Sequence, residues 1–179
     1  MTNCAKMQHG IVNVTVRDVR FPTSLEQHGS DAMHTDPDYS AAYVVIDTDS
    51  GLKGFGLTFT CGKGTEIVVC AVKALSGLVV GKSLQEIVSD FRGFYRLLTS
   101  DSQMRWLGPE KGVIQLATAA VLNAVWDLWA RAESKPLWKL LVDMVSHRRC
   151  RSLIYVQCVI AKGKQNILCF HTCTPEHVE

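Results

Sequence analysis

The spacing of apolar residues changes once along this chain, and that change limits the folds open to it. Up to Thr60 they recur at every second position, as in strands; from Thr65 they recur at helical spacing. Ile11 to Phe21 is β-branched and partly alternating, with Val12, Val14 and Val16 on one face and a bulge expected near Arg17. Ala42 to Thr48 reads as a second strand, and Asp49-Ser50-Gly51 as a tight turn. Lys53 to Thr60 alternates cleanly, with Phe55, Leu57 and Phe59 on one face. The short turn predicts an antiparallel hairpin, and the three segments a meander with one buried face.

Helices are predicted next. Thr65 is placed to cap a helix running to about Leu78, with Ile67, Val68, Ala71, Leu75 and Leu78 along one side. Ser83-Leu84-Gln85-Glu86 is a capping box opening a helix through Phe91, Phe94, Tyr95 and Leu98. Pro109 suits a helix start, and a long helix is predicted from Glu110 to about Glu133. Asp127 and Arg131 are spaced to pair on its surface. Pro136 ends it and starts a short helix, Leu137 to Met144. Strands followed by helices predict an α+β domain with helices on one face of a three-stranded antiparallel sheet.

One stretch fits neither period. His28 to Ser40 is polar and turn-rich between two predicted strands, and loops of this length inside a compact domain tend to carry function. Its glycine, carboxylates, hydroxyls and tyrosine make it a candidate recognition loop.

Composition marks a boundary near Val145. Four of the seven cysteines (Cys150, Cys158, Cys169 and Cys173) fall after it, together with five basic and two acidic residues. An odd cysteine count favours reduced thiols and an intracellular protein. The N-terminus shows neither a secretory nor a transit signal. A net charge of +2 does not argue for nucleic acid, and no uninterrupted apolar run suggests a membrane span. Cys169, Cys173 and His177 lack standard zinc spacing, so no metal site is expected from them. His147-Arg148-Arg149-Cys150-Arg151 reads as a solvated linker. Gly62-Lys63-Gly64-Thr65 lacks the full phosphate-loop spacing and reads as a turn before a helix.

The segment Ala117-Thr-Ala-Ala-Val-Leu-Asn-Ala-Val-Trp-Asp-Leu-Trp-Ala-Arg131, followed by Pro136-Leu137 and Leu140-Leu141, resembles the helix signature of the mandelate racemase branch of the enolase superfamily. Leu122 and Val142 depart from the usual acid and glycine. With Phe21-Pro22-Thr23-Ser24 and the polar loop, the chain most resembles L-fuconate dehydratases over about Val14 to Met144. The resemblance implies an N-terminal capping domain over a β/α barrel. In that barrel a lysine base and magnesium dehydrate L-fuconate to its 2-keto-3-deoxy acid. It implies a mitochondrial location, and substrate contacts from Gly29, Ser30, Asp31 and Tyr39, with Ser30 the weakest of the four.

A β/α barrel needs about 250 residues, and this sequence has 35 after Met144. Lys162-Gly163-Lys164 matches a catalytic Lys-x-Lys only by letters, and Glu176 and Glu179 are the only acids there. The expectation is a capping domain, residues 11–144, followed by an unrelated, poorly ordered cysteine-rich basic tail, residues 145–179, as in a truncated or alternatively spliced product. No catalytic residue, magnesium or other metal ligand is expected from this chain, and no turnover by it alone. Trp106, Trp126, Trp129 and Trp138 are expected in core or cap–barrel packing. Apolar surface uncovered without a barrel predicts self-association or pairing with full-length subunits.

Overall fold

The computed structural model describes residues 9–146. β1 (Ile11–Arg20), β2 (Ser40–Thr48) and β3 (Lys53–Thr60) form an antiparallel sheet in the order β1-β2-β3. Helices α1 (Thr65–Ser76), α2 (Leu84–Ser89), α3 (Phe91–Thr99), α4 (Val113–Ala132) and α5 (Leu137–Ser146) follow. This is the α+β meander-then-helices architecture that the change of period predicts. The segment 147–179, with Lys162, Lys164, Cys169, Cys173 and His177, lies outside the described residues.

One face of β2 (Ala42, Val44 and Ile46) is fully buried and joins Val72 and Leu75 of α1 and Val121, Ala124 and Leu128 of α4 in one core. Each buried valine, leucine or isoleucine of this set stabilises the fold by about 1.5–3 kcal/mol. On β3 the buried face is the glycine face. Gly54, Gly56 and Thr58 point at the helices, while Leu57 and Phe59 are exposed on the other side. Alternation separates the two faces of a strand without saying which is inward, and here α4 decides it. A Cβ on Gly56 would lie 2.3 Å from the Ala120 carbonyl oxygen and 2.3 Å from the Ala124 nitrogen. A Cβ on Gly54 would meet the Ala124 carbonyl at 2.3 Å. Only a strand without side chains at these positions admits the helix so closely.

The same helix serves β3's outer edge. Asp127 accepts the Phe55 backbone N–H (2.9 Å), and the Asn123 amide donates to the Leu57 carbonyl (3.0 Å). Two side chains one turn apart thus act as a short fourth strand. Asp127 does pair with Arg131 (2.6 Å), and the Arg131 guanidinium lies 4.9 Å from the centre of the Phe55 ring. α4 is long and apolar enough by length and composition to cross a membrane, but most of it is buried in this core.

The expected bulge near Arg17 is instead a register shift between Ile11 and Asn13, which leaves Val12 exposed. The register runs unbroken from Asn13 because Thr15, Arg17 and Val19 pair regularly with β2. Gly64, with φ +91°, caps α1, and the Thr65 hydroxyl turns back to the Gly62 carbonyl (2.6 Å). Ile67 is exposed rather than on the core side. The Ser83–Glu86 capping box forms as read, with Ser83 N–H donating to the Glu86 carboxylate (2.7 Å). The single helix predicted from it breaks at Asp90, whose carboxylate caps α3 by accepting the Gly93 N–H (2.8 Å). The long helix starts at Val113, three residues later than expected. Trp126 and Trp129 stack in the core with ring centres 5.2 Å apart, whereas Trp106 and Trp138 are largely exposed.

Candidate functional site

The polar segment between β1 and β2 is a loop with a clamped stem and an exposed tip. Pro22 ends β1 and a 3-10 turn, Thr23–Glu26, follows. The Thr23 hydroxyl donates to the Pro37 carbonyl (2.8 Å) and accepts the Tyr39 N–H (2.9 Å). Ser24 gives its backbone N–H (3.1 Å) and its hydroxyl (2.6 Å) to one oxygen of Asp38. The Ser24 hydroxyl, with its N–H, holds the Asp38 carboxyl below the usual carboxylate range. Asp38 N–H also reaches the Cys61 carbonyl (3.3 Å), which ties the stem to the end of β3. Short hydroxyl and carboxylate side chains bond readily to nearby backbone, so these residues close the loop base.

The tip begins at Gln27, which is left-handed at φ 54°, and Gly29, at φ +69°. Gly29 lies against the Tyr39 ring, where a Cβ would come within 2.5 Å of a ring carbon. The Tyr39 hydroxyl donates to the Gly29 carbonyl at 2.6 Å. The Ser30 hydroxyl donates to the Gln27 carbonyl (2.9 Å). Asp31 accepts the backbone N–H groups of His34 (2.7 Å) and Met33 (2.8 Å), and these hold its carboxyl below the usual range. His34 Nδ1 sits 3.2 Å from the same carboxylate, and His28 Nε2 lies 2.6 Å from Glu26. Beside the tip, Phe21, Pro22, Thr23, Leu25, Glu26 and His28 line a shallow groove of about 260 Å³.

The four expected contact residues therefore fall in one place. Gly29 and Tyr39 touch, while Ser30 and Asp31 follow on the exposed rim. The cluster offers hydroxyl, carboxylate and carbonyl groups suited to binding a polyhydroxylated ligand. It holds no nucleophile–base pair. Among the described residues no group of three or more His, Cys, Asp or Glu could hold a metal ion. The residues do not fit magnesium. Thr23 and Ser24 belong to a motif that carries the resemblance, but no part in closing the loop is expected of them or of Asp38 from sequence. Their signal was the Thr-Ser pair after Pro22 facing an Asp before Tyr39.

A meander whose first connection carries a clamped recognition loop, with four helices and a final short one behind it, has known counterparts. Residues 11–142 match the family described as mandelate racemase / muconate lactonizing enzyme, N-terminal domain. The chain belongs to that family. Mitochondrial enolase superfamily member 1 of Xenopus laevis is 76% identical over 135 residues, covering 74% of this chain and 30% of that protein. L-galactonate dehydratase of Hypocrea jecorina is 50% identical over 143 residues, covering 80% of this chain and 30% of that protein. The crystal structure of human mitochondrial enolase superfamily member 1 superimposes with a TM-score of 0.76 at 71% identity, covering 78% of this chain and 32% of that one.

The chain spans about 30% of the length of the curated relatives it matches. In this mandelate racemase / muconate lactonizing enzyme N-terminal domain, the resemblance read from the Ala117–Arg131 segment falls on α4, the helix that organises the core.

Proposed function

We propose that this chain provides the substrate-recognition lid of an acid-sugar dehydratase of the enolase superfamily. The observation that carries the reading is the gathering of Gly29, Ser30 and Asp31 at one exposed loop tip against Tyr39 of the stem. The 50% identity to an L-galactonate dehydratase supports it. L-fuconate is L-galactonate without the oxygen on C6, so both acids present the same carboxylate and the same configuration from C2 to C5. The ligand class is an L-galacto-configured aldonate. Asp31 accepts from its hydroxyls, and Tyr39 donates to a hydroxyl or the carboxylate.

The reaction of such a dehydratase removes the proton α to the carboxylate and the β-hydroxyl as water, leaving an enol that becomes the 2-keto-3-deoxy acid. The described residues bind and orient; none is placed as the base. Residues 145–179 are proposed to be a separate tail, and the names of the relatives support a mitochondrial location. A second reading, a non-catalytic fragment associating with full-length subunits, is favoured by the exposed Trp138 and Val142 one turn apart on α5.

Saturation-transfer NMR of the purified chain with L-galactonate and L-fuconate tests the lid reading. Both acids are expected to bind weakly, and Asp31→Ala to weaken them by roughly tenfold. Absence of binding would remove the reading. Formation of a 2-keto-3-deoxy acid by the chain alone would show that it holds a complete active site.

A further inference from the structure

The hydrogen bonds of the loop tip divide unevenly. Those made by residues 30–36 stay inside the loop: Ser30 to Gln27, Asp31 to Met33 and His34, and Thr35 to Asp36. The tip is thus a small self-satisfied unit. On its N-terminal side the tip is held by the His28 N–H on the Thr23 carbonyl (3.0 Å), by the His28 ring against the Glu26 carboxylate (2.6 Å) and by Ser30 on the Gln27 carbonyl; its link across to the C-terminal limb of the loop is the Tyr39 hydroxyl on the Gly29 carbonyl. Tyr39 is fixed from the other side: its N–H is held by Thr23, and its ring lies 5.3 Å from that of Phe59 on β3. The phenol therefore connects the exposed tip to an anchored part of the domain.

We propose that the Tyr39–Gly29 hydrogen bond is a latch that holds the tip, residues 28–36, against the body of the domain. Phe59 positions the latch by fixing the Tyr39 ring. The phenol has a single proton, so it donates either to the Gly29 carbonyl or to a ligand oxygen. A ligand that draws this proton into its own hydrogen bond releases the tip at the moment of contact, which couples recognition to loop movement. What opens the latch rests on the recognition role proposed above; the latch itself does not.

The test is amide hydrogen exchange of the full chain without ligand, comparing wild type with Tyr39→Phe, which keeps the ring on Phe59. Exchange across residues 30–36 is expected to quicken about fivefold, the effect of losing one ordinary hydrogen bond. The Ser24 and Tyr39 amides of the stem should keep their rates. Gly29→Ala, whose methyl overlaps the Tyr39 ring, should loosen the same segment with the phenol intact. Tip exchange that is unchanged in both variants, or raised equally across the whole chain, overturns the latch. If Tyr39→Phe does not fold, Gly29→Ala decides alone. Quickened tip exchange together with no L-galactonate binding removes the recognition reading and leaves the latch standing.

Discussion

Replacing Gly56 by alanine is the sharpest test of how this domain is held together. The added Cβ would lie 2.3 Å from the Ala120 carbonyl oxygen, 2.3 Å from the Ala124 nitrogen and 2.9 Å from the Ala124 Cα. All three are backbone atoms of α4, so no rotamer change relieves the overlap. Strand and helix must part by about 1 Å to reach ordinary contact. That movement stretches the Asn123–Leu57 bond beyond its 3.0 Å and the Phe55–Asp127 bond beyond its 2.9 Å. Overpacking costs about 1–3 kcal/mol. Weakening a bond to a charged acceptor adds roughly 1.5–3 kcal/mol. A total near 3–5 kcal/mol corresponds to a melting point lowered by about 10–15 °C in a chain of this size. Thermal unfolding followed by far-ultraviolet circular dichroism reads it. Gly77→Ala is the control. Its Cβ meets nothing within 4 Å and its φ is −62°, so it should be neutral or slightly stabilising. A Gly56→Ala protein that melts with wild type would refute the claim that glycine sets the helix–strand distance.

Three other perturbations separate contributions. Asp127→Ala removes the acceptor of the Phe55 N–H and should destabilise by about 1.5–3 kcal/mol in a urea titration, with Asp127→Asn recovering much of the loss because an amide oxygen still accepts. Ser83→Ala breaks the capping box and should cost about 1 kcal/mol in the same titration. Lys135 (2.8 Å) and Lys139 (2.7 Å) hold the Asp143 carboxyl down to about 2. Because its folded-state pKa lies below the unfolded one, its stabilisation is complete above the ordinary value of about 3.9 and lost as pH falls toward 2. Asp143→Asn should flatten that part of the stability–pH curve, and an unaltered acid limb would contradict the assignment.

The strands were legible because period two survives even where burial is uneven, and the Ser83 box because its two bonds are local. The inward face of β3 was not legible. Phe55, Leu57 and Phe59 carry the apolar alternation, yet the helix needed the side without side chains. The break at Asp90 was hidden because helical spacing runs through it, and only the Asp-x-x-Gly offset to Gly93 marks a new cap. In the candidate site, resemblance pointed to the four tip residues. The stem depends on pairings of Thr23 with Pro37 and of Ser24 with Asp38, each fourteen residues apart, so the Thr-Ser pair and the Asp before Tyr39 gain meaning only once the loop is closed.

The cover that Asn123 and Asp127 place on β3 leaves the sheet asymmetric as a template. β1 is the other edge strand, joined outwardly at its Ile11 end by Gly81 and Lys82. Growth by strand addition therefore has one direction open to it. Two copies meeting through β1 would make a six-stranded sheet whose outer strands each carry the Asn123 and Asp127 bonds. The two bonds on β3 work against continued edge-to-edge growth, which a sheet bare on both sides would leave open.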